Sequence, residues 1–258
     1  MSKQKHNPSR RPSLTLRVKP FAQLVVSVQE LTDARREYAC KTPEERRAAA
    51  SWEYDSGMAH DLFSRALLSS GGAAALDSGF DSGVVALAID PHFAPALLTV
   101  GSIEYQHKRP DAAMELFMTL TTLPQTEPDL AEIIDKAGCF LLDQGDTPNA
   151  TRLYRAATEA YPGVCEHWSG LSYCLGKAGQ MEEAVATARK ALSMNDGDPR
   201  VLNDLGWTLV LAGFHDEART VLERAAALAP TDYELPLNNL CELDKLVRAT
   251  RRTNRRRA

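Results

Sequence analysis

The sequence predicts an all-α protein: a solenoid of antiparallel helix pairs, with flanking helices and disordered basic tails. Three observations carry this. First, stretches beginning at Ala131, Cys165 and Pro199 keep the same residue types in step at a 34-residue spacing. Ile134, Ala137, Gly138, Leu141, Gly145, Ala150, Tyr154, Ala157 and Pro162 are answered by Trp168, Leu171, Ser172, Leu175, Gly179, Ala184, Ala188, Ala191 and Asp196. The third stretch answers with Leu202, Leu205, Gly206, Leu209, Gly213, Ala218, Leu222, Ala225 and Pro230. Such a period marks a stacked array of one supersecondary unit. Second, each stretch holds two apolar runs of helical period. Leu202, Leu205 and Leu209 form one, Gly213 breaks it, and Ala218, Val221, Leu222, Ala225 and Leu228 resume it until Pro230. That is two antiparallel helices joined by a short turn, with Gly206 and Ala218 small where the axes approach. One such pair cannot bury its stripe alone, so neighbours stack and share a core. Third, charge is segregated: the two ends hold twelve of the 30 basic residues and none of the 34 acidic ones. The net charge of −4 therefore hides a strongly acidic body.

In chain order, residues 1–20 carry Lys3, Lys5, Arg10, Arg11, Arg17 and Lys19, with too little apolar surface to bury, and are expected to be disordered. Residues 21–93 are a helical region ending in a degenerate repeat. Gln23 to Tyr38 reads as one helix, and the Thr42-Pro43-Glu44-Glu45 capping box opens another that runs toward Leu68. Ala86 to Pro91 looks like the end of a second helix of a unit, but Gly79 and Gly83 interrupt its front half. Residues 94–232 hold four units, 94–127, 131–164, 165–198 and 199–232. The first carries Leu97, Val100, Gly101, Ala113 and Phe117 in frame, and a three-residue insertion, Pro128 to Leu130, shifts the phase after it. Thr147 and Pro148 supply an N-cap and a first-turn proline. Residues 233–247 are expected to form a terminal capping helix, with Glu234, Asn238, Glu242 and Asp244 on its polar outer face. Residues 248–258 are expected to be a disordered arginine-rich tail.

The repeated frame resembles the tetratricopeptide repeat, whose W-x2-L-G-x2-Y, A-x3-F and late proline form a signature. Trp168 and Leu171, Leu205 and Gly206, Ala150 and Tyr154, and Pro162 and Pro230 match it, over about half of the chain well and two-thirds loosely. The resemblance implies a right-handed solenoid whose first helices line a concave, protein-binding face. The second, fifth, ninth, twelfth and thirteenth positions of each unit would point into it. The ninth positions are Ser102, Cys139, Tyr173 and Trp207, with Tyr105, Leu142, Ser169, Asn203, Val210 and Leu211 around them and Lys177 and Arg200 as nearby cations. An aromatic pair flanked by apolar residues and two cations suits a peptide or helix of a partner protein with some acidic character. In the competing reading the final helix folds over this end, and Trp207 and Leu211 are its packing partners. Chaperone-type members of the family clamp a terminal carboxylate, but Asp135, Ser169 and Asn203 at the fifth position do not supply that basic set.

Little in the sequence points to other chemistry. Cys165, His167 and Cys174 lack a fourth ligand at zinc-finger spacing and read as packed helix residues. No nucleophile motif or phosphate loop is present, so no catalytic residue, metal or cofactor is expected. Five scattered cysteines argue for a reducing, cytoplasmic setting, and no run is long enough for a membrane span. Asp77 to Ser82 resembles a phosphorylated degron, and Arg10-Arg11-Pro12-Ser13 a basophilic kinase site; both are short motifs of the kind that recur by chance. Read together, these features describe a non-catalytic protein–protein interaction scaffold. An alternative makes it a nucleic-acid-associated adaptor held by Arg248, Arg251, Arg252, Arg255, Arg256 and Arg257.

Overall fold

The computed structural model describes the backbone of residues 28–67 and 82–257, and the side chains of residues 31–55 and 82–249. The described residues form helices and turns only: α1 (Val28–Tyr38), α2 (Pro43–Leu67), α3 (82–89), α4 (Ala94–Gln106), α5 (Pro110–Leu120), α6 (Leu130–Asp143), α7 (Thr147–Ala160), α8 (Cys165–Lys177), α9 (Met181–Met194), α10 (Pro199–Leu211), α11 (His215–Leu228) and α12 (Leu235–Arg257). Helices pair in sequence order, and each first helix also packs on the first helix of the next unit: α4 on α6, α6 on α8, α8 on α10, α10 on α12. Among the described residues this is the all-α stacked array of antiparallel helix pairs that the 34-residue period implies. Residues 1–20 and the Asp77–Asp81 part of the degron-like motif lie outside the described residues.

Local chemistry sets the helix ends. At α2 the capping box closes both ways: the Thr42 amide donates to Glu45 Oε2 at 3.0 Å and the Glu45 amide to Thr42 Oγ1 at 3.2 Å. At α7 the N-cap is Asp146 rather than Thr147. Its carboxylate accepts the Asn149 amide at 3.2 Å, while Thr147 is already helical. The carboxylate, one residue earlier, reaches the amide at the third helical position, beyond Pro148, and outcompetes the hydroxyl.

The turn between the helices of a unit needs one residue in the left-handed region. Gly145, Gly179 and Gly213 take φ of 77°, 78° and 83° there. In the unit 94–127 the same place is held by Lys108 at φ 63°. A side chain in that conformation costs about 1 kcal/mol or more. Lys108→Gly is therefore expected to raise the stability of the chain by about 0.5–1 kcal/mol, read as a higher urea midpoint at unchanged slope.

Inside the pairs, volumes are complementary. Gly101 faces the ring of Phe117, Gly138 that of Tyr154, and Gly206 the side chain of Leu222; a Cβ at any of these glycines would overlap its partner. Where the frame places Ser172 instead of glycine, the matching residue on the next helix shrinks to Ala188. Gly83 follows the same logic: it lies within α3, where a Cβ would run into Val100.

The end of α5 and the turn after it are held by Tyr161, whose hydroxyl is shared between the carbonyls of Leu120 and Leu123 at 2.9 and 2.7 Å. At the outer rim, Arg155 pairs with Glu183 and Arg189 with Glu217, each at 2.8 Å, the same contact one repeat apart. Exposed pairs of this kind contribute little energy but mark a constant register.

The end of the array departs from expectation. α12 does not stop at Val247; it runs on to Arg257, where a disordered tail was expected. Arginine is a strong helix former, and positive charge at a helix C-terminus complements the backbone dipole, so the residues that lack a core still extend an established helix. The front of α12 is anchored by Leu243, fully buried in a cluster with Leu205, Leu209 and Val210, and by an ion pair between Arg219 and Asp244. None of the described helices is long and apolar enough to cross a membrane.

Candidate functional site

The first helices α6, α8 and α10 lie side by side, so their inward positions form one wall. With the start of α12 they enclose a groove of about 610 Å³. Of the residues assigned to this face from the sequence, Cys139, Leu142, Ser169, Tyr173, Lys177, Arg200, Asn203, Trp207 and Leu211 line it. Tyr173 and Leu211 are each 45% exposed, and both stand on this one lining.

Three assigned residues, Ser102, Tyr105 and Val210, do not line the groove; the Ser102 hydroxyl donates to the Leu98 carbonyl of its own helix. Tyr105 packs edge-on against Phe140, with ring centroids 5.7 Å apart, and its hydroxyl donates to Asp146 Oδ2 at 2.9 Å. It thereby braces the cap of α7. Val210 is buried in the cluster under α12. The expectation failed for one reason: a helical position points inward only until another element covers it, and α12 covers Val210.

α12 also decides part of the competition over Trp207. The indole is half-buried and packs against the cluster that contains Leu240, Leu243 and Val247, yet it also lines the groove beside Leu235 and Asn239. Asn239 Nδ2 donates to Asn203 Oδ1 at 2.8 Å, closing the wall at that corner. The last helix thus packs on one side of Trp207 and leaves another facing the groove.

The electrostatics reverse the charge preference read from the sequence. Both cations are engaged. Lys177 Nζ sits 5.4 Å from the centroid of the Tyr173 ring. Arg200 is clamped by Asp198, with its amide and Nη2 at 2.8 Å and Nε at 3.2 Å. Against these stand Asp135, Asp143, Glu166, Asp198 and Asp204 on the same lining. Among the described residues, the ion pairs involve only Asp198 of these five. Asp135 instead accepts the Tyr154 hydroxyl at 2.8 Å, which ties the groove to the core. Burial pushes the Asp204 carboxyl up to about 6, with the charges of Asp198 and Asp135 adding to the rise and Ser169 and Asn203 opposing it. The groove is thus an acidic channel, and a segment of acidic character would meet repulsion in it. Of the inner carboxylates, Asp135 stands at the inward-facing fifth position, whereas Asp204 lies one place beyond it, where the repeat frame does not single it out.

The cysteine–histidine group of α8 is dispersed into packing. Cys165 Sγ donates to the Ala191 carbonyl at 3.3 Å, and Cys174 is fully buried, its thiol pushed up to about 12 by desolvation. His167 is buried beside Tyr161, with burial holding its pKa down; its ring nitrogens approach the carbonyls of Ala131 and Ala157 without closing full hydrogen bonds. Of the arginines assigned to the C-terminal end, Arg248 is exposed, and the side chains from Arg251 onward lie outside the described residues.

Family models described as tetratricopeptide repeat match residues 136–199 and residues 175–237. Among solved structures, the chain is similar to YrrB, described as a TPR protein with an unusual peptide-binding site, at 19% identity over 81% of this chain and 96% of that one, TM-score 0.49. It is also similar to a thermophilic TPR protein of Thermus thermophilus, at 19% identity over 74% and 98%, TM-score 0.47. The third is PilF of Pseudomonas aeruginosa, at 17% identity over 78% and 86%, TM-score 0.48. No curated protein matches the chain.

Proposed function

Because this chain is a tetratricopeptide-repeat protein, we propose that it is a non-catalytic scaffold whose groove between α6, α8, α10 and α12 binds a peptide or helical segment of another protein. Tetratricopeptide repeats support a protein-interaction role in general; the groove is our own assignment. The observation that carries it is the exposure of Tyr173 and Leu211 beside the half-buried Trp207. Large side chains left open in a concave site are the usual anchors of an interface. The aromatic edge and apolar wall offer contact area, and the carboxylates outside ion pairs select the partner by charge.

The test begins with peptides selected from a displayed random library against the full chain. Trp207→Ala is expected to weaken the selected peptides by more than about 1 kcal/mol, roughly fivefold, with helicity unchanged. Unchanged affinity would remove Trp207 as an anchor. Lost helicity would mean that the indole serves only the packing under α12.

A further inference from the structure

We infer that the floor of the groove is a seat for one cationic side chain, an arginine or lysine, presented by a basic and apolar segment of a partner protein. This deepens the groove reading and rests on it.

The floor gathers negative charge with no free cation among its lining residues to neutralise it. Asp204 sits on the inner wall, where only the neutral side chains of Ser169 and Asn203 favour its charged form and no ion pair among the described residues involves it. Ser169 Oγ, buried on the neighbouring helix, stands close enough to favour the charged form of Asp204 but lacks the geometry of a full hydrogen bond to any group. Asp135, on the third helix, spends one oxygen on the Tyr154 hydroxyl and still adds its charge to the same space. A partly buried carboxylate with no cation beside it is costly to keep charged. A carboxylate, a hydroxyl and a second carboxylate on three adjacent helices match a donor-only group with several N–H bonds, which is what a guanidinium or ammonium offers. Above this floor the Trp207 and Tyr173 rings provide the face and length that the aliphatic stem of such a side chain covers. The acidic body adds long-range attraction for a basic partner.

The occupant is a segment of another protein. Residues 1–20 of this chain are also basic, and the experiment separates the two. Fluorescein-labelled dodecapeptides of repeated Ala-Arg-Leu and repeated Ala-Glu-Leu, and a peptide of residues 8–20, are titrated against the full chain by anisotropy at low salt. The arginine peptide is expected to bind at least about tenfold more tightly than the glutamate peptide, and Asp204→Asn to remove about tenfold of that preference. Lowering the pH from 7.5 to 5 should weaken the arginine peptide for the wild type and much less for Asp204→Asn. The groups around Asp204 are Asp135 from α6, Cys165, Glu166 and Ser169 from α8, Asp198, Arg200 and Asn203 from α10, and Tyr233 ahead of α12. Arg200 holds Asp198 below the usual carboxylate range, and burial pushes Cys165 and Tyr233 up, away from this window. Equal binding of the glutamate peptide, or unchanged arginine binding by Asp204→Asn, overturns the seat. If Trp207→Ala still weakens binding in that case, the groove stands without it; if neither variant matters, the groove falls too. Tighter binding by the 8–20 peptide than by the arginine peptide overturns the assignment to a partner.

Discussion

Tyr154→Ala is expected to destabilise the chain by about 3–5 kcal/mol, the cost of deleting a fully buried aromatic ring that the surroundings cannot refill. The ring is 1% exposed and lies between Gly138 on α6 and Gly170 on α8. Neither glycine has a side chain that can move into the vacated space, so the cavity persists. The loss also falls at the junction of two units. In a stacked array, stability resides in such nearest-neighbour interfaces as much as in the units themselves. Urea unfolding followed by helicity would show a lower midpoint, with a second transition if the two halves separate. Tyr154→Phe keeps the ring and removes only the hydroxyl, with its bond to Asp135 and its weak contact to Cys139 Sγ, so a loss of about 1 kcal/mol is expected. A loss under about 1 kcal/mol for the alanine variant would mean that α6 and α8 close over the gap.

That tyrosine also shows how much the sequence made legible. Its place in the frame was visible, since Gly138 and Tyr154 recur at fixed spacing as Gly206 and Leu222 do. The reason was not: the pattern names small and large positions separately, and only the packed helices reveal that one fills the other. The exchange of glycine for Ser172 opposite Ala188 is the same rule with both volumes changed. Residues fixed by the local backbone, such as the turn glycines and the Thr42–Glu45 box, were readable because a single turn decides them. Asp146 over Thr147, by contrast, was settled by which side chain reaches the open amide. The continuation of α12 was hidden because charge density argues against a core but not against helix. The groove divided along the same line. Its aromatic edge followed from register, whereas the burial of Val210, the bracing role of Tyr105 and the acidity of the floor depend on which elements cover which positions. Counting cations near the aromatics favoured an acidic partner, whereas the packed structure engages both cations and sets five carboxylates on the same lining.

The inner carboxylate leads to the second large effect. Asp204→Asn is expected to stabilise the free protein at pH 7.5 by about 1–2 kcal/mol, while weakening the binding of basic segments. An Asp204 carboxyl raised to about 6 from an ordinary 3.8 is held charged at neutral pH against its surroundings. In the unfolded chain it ionises freely. The folded state therefore binds the extra proton between these two values, and its stability falls as pH rises through that window. Below about 4 the group is largely neutral in both states, and the wild type and Asp204→Asn should unfold alike. The advantage of asparagine should appear between about pH 4 and 6 and hold above it. Its ceiling is about 3 kcal/mol, from the size of the rise, reduced because the amide must find its own partners beside Ser169 and Asn203. Urea unfolding at pH 4 and pH 7.5 decides it. The same difference at both values, or none at either, would mean that Asp204 is hydrated in the free groove and bears no strain. A difference confined to neutral pH would identify a position where the fold gives up stability to keep a negative charge under Trp207, the charge that an incoming arginine or lysine neutralises.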